Sequence, residues 1–530
     1  MSTGPSVATD DVATEAGDRS RRRVGRVVGA WLATCLAAFI ALAGWSLASP
    51  VASSPDDDYH LASIWCAQGI DAQRCAPVPG EPDQRLLPYL ASGAASCFAT
   101  DFTLSGACQD DFDTDEPAVA TAHGNWGGAY PPYFYAAMSV FVGSDVPAAV
   151  LTMRLVNSLI AVALVGALAA LLPRRRRPLA TLPLLLTAVP LSLSIIPSTN
   201  PSSWSVLGCA VVWLALYVAY EETGWRRNGL AALAVVGSFL GAGSRPDTCL
   251  FVMMSVVLVL ILRARHLRRA PLVTGAAVAC LVLAGTLFLR AGLNSALADG
   301  FGQLDQTLTL SQLVLMNLAM LPSLWLGIFG SGPLGRTGWL DTPYPPIVPM
   351  LTIAVWFPLL LQGAKQLFPA KVVGLVLVGA ALFVQPMYLL VRSGVLVGQG
   401  VQPRYLLPLI VVFTGLCLLG VRGVTARLSP AAYWSAVAAL TVVHSIALHI
   451  QIRRYVTGLD VSFVRFGDDT EWWWSSGPGP TATWLIASIG FAVLTAVVLG
   501  QVRAVPGRRR GSAPAGSGAG RSSATPQHSA

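Results

Sequence analysis

Three consecutive carboxylates and an imidazole, in the run Pro55-Asp56-Asp57-Asp58-Tyr59-His60, are the residue types in this sequence best suited to chemistry. Adjacent carboxylates repel one another when ionised, so a poorly solvated cluster raises their pKa values or gathers cations. The stretch after them, Leu61 to Gln68, reads as a helix. If helical geometry begins at residue 57, Asp57 and His60 share a face at i, i+3, and Asp56 sits at the N-terminus as a cap. Three uses fit these types at this spacing. They are a general base drawn from Asp56 or Asp57 with His60 as helper, a divalent-metal site built on Asp56 and Asp57, and a solvated acidic loop that only starts a helix.

The elements that must position this cluster are set by composition. The 530 residues are 54% hydrophobic and only 12% charged, with a mean hydropathy of +0.60. Soluble chains carry about 25% charge, so the expected class is an all-α polytopic membrane protein. The formal charge of +8 lies in short Arg clusters between apolar runs rather than along one basic face. Such clusters mark topology and argue against nucleic-acid binding.

The run Val27 to Ala48 follows Arg21, Arg22, Arg23 and Arg26 and ends just before the acidic cluster. A signal-peptide core spans only about 7–15 residues, so this longer run predicts an uncleaved anchor. Eleven further apolar runs lie near 149–172, 179–196, 204–220, 228–243, 247–262, 271–290, 347–363, 372–390, 405–420, 431–450 and 481–502, which predicts about twelve spans. With the N-terminus inside, Arg174 to Arg177, Arg226, Arg227, Arg263 to Arg269, Lys365, Lys371, Arg422, Arg427 and Arg508 to Arg510 fall on the cytoplasmic face. Both termini are then cytoplasmic in a multi-pass protein of the cytoplasmic (inner) membrane. The apolar stretch Leu308 to Phe329 would invert every later loop if it spanned, so it is expected to be a re-entrant or interfacial helix within an outer loop, residues 291–346. Polar residues 1–26 and the Gly, Ser, Ala, Pro and Arg-rich tail 503–530 are expected to be disordered and cytoplasmic, flanking a transmembrane domain over 27–502.

The first outer loop, residues 49–148, holds eleven Asp, two Glu and only two basic residues, Arg74 and Arg85. Four of the nine Cys fall there: Cys66, Cys75, Cys97 and Cys108. An even number in an exported loop predicts disulfides, most simply Cys66–Cys75 and Cys97–Cys108, and the spacing does not suit zinc.

The same residues resemble an uncharacterised bacterial family of polytopic membrane proteins, of the Pro-Asp-Glu-x-x-His type, related to the GT-C glycosyltransferases. The landmarks, in order, are Pro55, Asp56, Asp57 and His60; Tyr130-Pro131-Pro132-Tyr133; Arg154-Leu155-Val156-Asn157; Asn200-Pro201; and Gly398 to Pro408, which contains Arg404. The resemblance covers roughly residues 30–500. The chain departs from the pattern with Asp57 in place of Glu and with Pro403 inside what is commonly a Gly-Arg-Tyr step.

The resemblance implies a GT-C-like bundle of about twelve helices with a large first extracytoplasmic loop. It implies an enzyme that transfers sugar from a polyprenyl-phosphate donor to a cell-envelope glycan, glycolipid or protein. Asp56 or Asp57 would then be the base, with a divalent cation such as Mg or Mn nearby and His60 assisting. Arg404 would hold the donor phosphate, with Arg245 and Arg392 as weaker candidates. Tyr130, Tyr133 and Trp473, the last beside Asp468, Asp469 and Glu471, could contact acceptor or sugar, although a packed re-entry into the membrane explains the Tyr residues equally well and interfacial anchoring is the favoured reading of the Trp cluster. His444 and His449 read as packing residues. The competing classes are a transporter or flippase for envelope glycans and a non-catalytic envelope assembly protein.

Overall fold

The computed structural model describes residues 8–71, 74–109, 118–290, 308–461, 466 and 471–504. Asp468, Asp469, Arg508 to Arg510 and the beginning of the 291–346 loop lie outside them.

Helix α1 (Ala8–Leu47) carries the first apolar run and reaches back into the polar stretch expected to be disordered. It is followed by α2 (Asp57–Trp65), the strands β1 (Ala76–Val78), β2 (Glu81–Leu87) and β3 (Val119–Thr121), and α3 (Tyr133–Met138). Helix α4 (Val146–Leu171) then begins where the Asp145 carboxylate accepts from the backbone N–H of Ala148 at 3.0 Å. Next come α5 (Pro178–Leu186), α6 (Ala188–Ile195), α7 (Ser202–Ala219), α8 (Gly224–Ala242), α9 (Pro246–Leu262) and α10 (Pro271–Arg290). The chain ends with α11 (Leu310–Gly327), α12 (Ile347–Gly363), α13 (Pro369–Ser393), α14 (Pro403–Leu418), α15 (Pro430–Val456) and α16 (Pro480–Gly500). Seven of these helices start on Pro, whose missing N–H is harmless in a first turn and whose fixed φ suits it.

Among the described residues, eight helices are long and apolar enough to cross a membrane: α1, α4, α7, α10, α11, α13, α15 and α16. The number becomes nine if α5 and α6 count as one span, although they are bent by 98°. This is fewer than the twelve spans expected, for local reasons. Pro190 lies at the α5–α6 bend, α8 opens on Arg226 and Arg227, and α9, α12 and α14 have only 17, 17 and 16 residues.

All of α7 is buried, which makes it the axis of the bundle. Helix α8 approaches it so closely that a Cβ on Gly208 would lie 2.6 Å from the Gly237 carbonyl oxygen, as in close small-residue helix packing.

The bundle has two chemically different ends. At one, Arg176 donates to Glu221 and to the Gly420 carbonyl, each at 2.7 Å, and Arg263 pairs with the same glutamate. Buried Lys371 donates there to the Gly363, Cys417 and Leu419 carbonyls, at 2.9, 2.8 and 2.8 Å, and so neutralises the exposed carbonyl ends of α12 and α14. The other end carries Asp56, Arg404 and the unit formed by residues 49–145. In that unit the three strands pair antiparallel in the order β1-β2-β3, disulfides close Cys66–Cys75 and Cys97–Cys108, and Leu61, Trp65, Phe98 and Phe134 form a separate apolar core.

Helix α11 packs along the part of α13 nearest the Asp56 end. Its Asn317 bonds the backbone of Val395 and Val397 at 3.0 and 2.8 Å, and Trp325 donates to the Leu382 carbonyl at 3.2 Å. The strap after it returns to that same end, where Asp341 meets Arg454 at 2.7 Å and Trp339 donates to the Ala52 carbonyl at 2.8 Å.

The α7–α8 contact predicts that Gly208→Leu lowers the thermal unfolding temperature of the detergent-purified protein, at a cost of about 1–3 kcal/mol for overpacking. Gly275→Leu, where an added Cβ meets nothing within 4 Å, should leave the temperature close to wild type.

Candidate functional site

The segment between α1 and α2 is held from both flanks by buried polar groups. From α4, Arg154 donates to the Ser49 and Pro50 carbonyls at 2.7 and 2.8 Å and to the Ser53 hydroxyl at 3.1 Å. From the α6–α7 turn, Asn200 donates to the Pro55 carbonyl at 2.9 Å and Thr199 donates to Asp57 Oδ1 at 2.6 Å. The second Asp57 oxygen accepts from the Ser54 backbone at 2.9 Å, and Arg154 lies 3.9 Å away. Asp57 is completely buried, so both of its oxygens are committed to holding this turn.

Its neighbour faces the other way. Asp56 adopts left-handed backbone geometry at φ 60°, which is uncommon outside glycine and tolerated by Asp. The side-chain cap expected of it does not form. Its carboxylate instead bonds Arg404 Nη2. Pro403 occupies the first turn of α14 without breaking it, which sets Arg404 at the helix mouth. The Asp56 side chain is 41% exposed and that of Arg404 only 2%. Arg404 Nε and Nη1 are nevertheless buried without hydrogen-bond partners, so one face of the guanidinium is satisfied and the other is not.

Arg404 lines a small cleft of about 30 Å³ together with Ser53, Arg336, Thr337, Gln402 and Gln451. Gln402 Oε1 is also buried without a partner. Thr337 donates to Gln451 Oε1 at 2.7 Å, and this bond, with the Asp341–Arg454 pair, fixes the strap that carries Arg336.

His60 is buried behind Asp56. Its Nδ1 lies 3.0 Å from the Tyr135 hydroxyl, and its Nε2 has no partner. The Tyr130 ring stands edge-on to His60 at 5.5 Å and beneath the Arg245 guanidinium, also at 5.5 Å. Arg245 is forked onto Asp247 with two bonds of 3.0 Å and covers Tyr405 at 4.6 Å, so its charge is already matched within the chain. Asp58 pairs with His123 at 2.8 Å on the exposed rim.

Other expected residues lie elsewhere. Tyr133 packs on Phe239 at 4.9 Å, and Trp473 packs on Trp472 and Tyr455 at 4.6 and 6.2 Å. Arg392 closes α13, which contributes nothing to the cleft. His444 accepts from Trp45 at 3.2 Å and stacks on Phe491, while His449 sits between Phe466 and Trp484. Sequence reasoning missed Arg336, Gln402 and the Asp58–His123 pair. A free Arg beside Gly332, Gly335 and Gly338 was the available signal for the first of these.

The electrostatics separate the neighbouring groups. Burial opposes the Asp56 charge, but the positive surroundings led by Arg404 hold its carboxyl below the ordinary range. Burial raises Asp57 to about 6 against the opposing pull of Arg154 and Thr199. Burial also drives His60 down to about 3, which keeps the ring neutral. The hydrogen bond that the His123 ring donates to the Asp58 carboxylate raises His123.

These residues do not fit a divalent cation. Asp56 is turned onto Arg404, both Asp57 oxygens are used, and no group of three or more His, Cys, Asp or Glu side chains is arranged to hold a metal ion among the described residues.

Among known families, the one described as "Predicted membrane protein (DUF2142)" matches residues 39–413. No curated protein and no solved structure matches the chain.

The Asp57 environment yields a pH signature. Its folded pKa of about 6 lies above the ordinary aspartate value, so the folded state binds the proton more tightly than the unfolded state. This contribution is complete below about pH 4 and is lost as pH rises through about 6. Thermal unfolding across that window should show the wild-type-minus-Asp57→Asn stability difference falling as pH rises. A difference that is flat or rises would contradict this environment for Asp57.

Proposed function

We propose, for a chain that belongs to the DUF2142 family of predicted membrane proteins, that Asp56 and Arg404 form the catalytic edge of a GT-C-type membrane glycosyltransferase. The donor is a polyprenyl-phosphate-linked sugar, and the acceptor is a hydroxyl on a cell-envelope glycan, glycolipid or protein. The reaction takes place at the outer face of the cytoplasmic membrane, with both termini in the cytoplasm. The observation that carries this reading is the half-satisfied Arg404, which bonds Asp56 through Nη2 while Nε and Nη1 stay buried without partners beside a cleft.

A guanidinium with unpaired N–H groups suits a phosphate oxygen, and a lipid-linked donor presents its phosphate at headgroup depth. Arg336 supplies a second cation to the same cleft. The acceptor hydroxyl oxygen forms a bond to the anomeric carbon while Asp56 takes its proton. The bond from the anomeric carbon to the phosphate oxygen breaks, the electron pair leaves on the polyprenyl phosphate, and the configuration inverts.

The shared guanidinium links the two roles. With Arg404 directed at Asp56, the carboxylate is a weak base. A bound donor phosphate competes for the same cation, weakens its hold on Asp56 and raises the basicity of the carboxylate when substrate is present. Asp57 and His60 act as positioning residues, the first by fixing the turn and the second through Tyr135. Arg245, held by Asp247, adds positive field, and Tyr130 walls the acceptor side.

In purified protein supplied with a polyprenyl-phosphate sugar pool, Asp56→Asn should lower transfer by about 10²–10⁴-fold, the usual share of a general base. Arg404→Ala should weaken donor binding by about tenfold or more, as expected for a lost charge-assisted bond. A wild-type envelope sugar composition in cells carrying correctly inserted Asp56→Asn protein, where gene deletion alters that composition, would remove Asp56 from the reaction.

A further inference from the structure

A second groove lies at the opposite end of the bundle from Asp56. It runs between α1, α4, α5, α6 and α16 and has a volume of about 600 Å³. Small residues open it: Ala38 on α1 and Gly166 and Ala169 on α4 leave room where larger side chains would close the helices together. A Cβ on Gly166 would lie 3.3 Å from Cys35 Sγ and 3.4 Å from the Trp31 ring, so the groove narrows at that level. Its deep wall, Ser192, Leu193 and Ile196, belongs to the α6 region, whose other residues Leu191, Ser194 and Ile195 line the Asp56-end cleft.

The lining is mostly apolar, with neutral polar exceptions that include Thr34, Thr181 and Ser192, and its charged residues are Arg174 and Arg177. Neither arginine is paired with a carboxylate among the described residues. Arg177 makes a single bond, from Nε to the Leu172 carbonyl, and the charges acting on it come from Arg174 and Arg226. The nearby Glu221 is already committed to Arg176 and Arg263. Positive charge therefore accumulates at the rim without a carboxylate counterion among the described residues. Within the groove, Thr181 Oγ1 is buried with no partner. The flanking surfaces of α1 and α16 expose Leu32, Leu36, Val493 and Val497, so the groove opens onto a surface suited to hydrocarbon rather than water.

We infer that this groove is a binding site for an anionic phospholipid, with its acyl chains between α1, α4 and α16 and its phosphate held by Arg174 and Arg177. The occupant follows from charge and shape together. An apolar trough with two uncompensated guanidiniums at headgroup depth complements a negatively charged double-chain lipid, whereas a zwitterionic lipid places its own cation at the same rim. Small residues that would otherwise leave poorly packed space are filled by acyl chains, which makes the lipid part of the packing of α1 against the bundle. This site is separate from the Arg404 cleft and does not depend on the reaction proposed there.

The test uses the full-length protein in a non-ionic detergent, mixed with equimolar phosphatidylglycerol and phosphatidylcholine of identical chains and read by native mass spectrometry. Wild type should retain phosphatidylglycerol over phosphatidylcholine by about tenfold, the scale expected for two arginines near an anionic headgroup. The double variant Arg174→Gln with Arg177→Gln, at the bundle rim, should bring the two lipids to equal retention. Gly166→Leu should lower retention of both. The double variant Arg336→Gln with Arg404→Gln should keep the wild-type preference. Equal retention by wild type, a preference that survives loss of Arg174 and Arg177, or one that disappears only with Arg336 and Arg404, would overturn the proposal.

Discussion

The arrangement at the Asp56 end depends on one buried carboxylate. Removing a charge from water is expensive unless hydrogen bonds and an opposite charge replace the solvent, and Asp57 obtains both from Thr199, the Ser54 backbone and the nearby Arg154. Arg154 in turn satisfies the Ser49 and Pro50 carbonyls at the exit of α1, and Asn200 satisfies that of Pro55. The turn is thus held from α1, α4 and the α6–α7 connection at once. Because Asp57 points inward, the left-handed geometry of Asp56 turns the adjacent carboxylate toward Arg404.

Buried cations perform different work at the two ends. Lys371 and Arg176 are saturated by helix-end carbonyls and by Glu221, so they fasten helices together. Arg454 uses both terminal nitrogens on Asp341 and on loop carbonyls and leaves only Nε unpaired, which fixes the strap that brings Arg336 to the cleft. Arg404 differs in leaving two nitrogens, Nε and Nη1, without partners beside a cleft, where Arg154 and Arg454 each leave only Nε unpaired. A group left in that state in an otherwise well-satisfied structure is where a ligand gains most, since binding removes an existing desolvation cost.

Much of this could be read from the sequence. The acidic cluster, Arg154, Asn157, Asn200 and Arg404 stood out as ordered landmarks, and in the structure Arg154, Asn200 and Arg404 converge on residues 49–57. Asn157, between the Ser198 carbonyl and the Trp204 ring N–H, braces the turn that carries Thr199 and Asn200. The opposite orientations of Asp56 and Asp57 were not legible, because they depend on one backbone rotation and on Thr199, which is distant in sequence. The span count was overestimated for a related reason. Hydropathy detects the apolar runs of α9, α12 and α14 but not that their helices stop at 16 or 17 residues, and it reads through the bend between α5 and α6. Arg336 was hidden because its relevance depends on a strap held by Arg454, more than a hundred residues later.

The central claim is that Arg404 is shared between Asp56 and a phosphate. It is tested most directly by measuring the affinity of purified wild-type and Asp56→Asn protein for polyprenyl phosphate itself, without turnover. If the guanidinium is shared, neutralising Asp56 releases it, and the variant binds the phosphate more tightly than wild type. Equal or weaker binding by Asp56→Asn, in protein that unfolds at the wild-type temperature, would contradict the account.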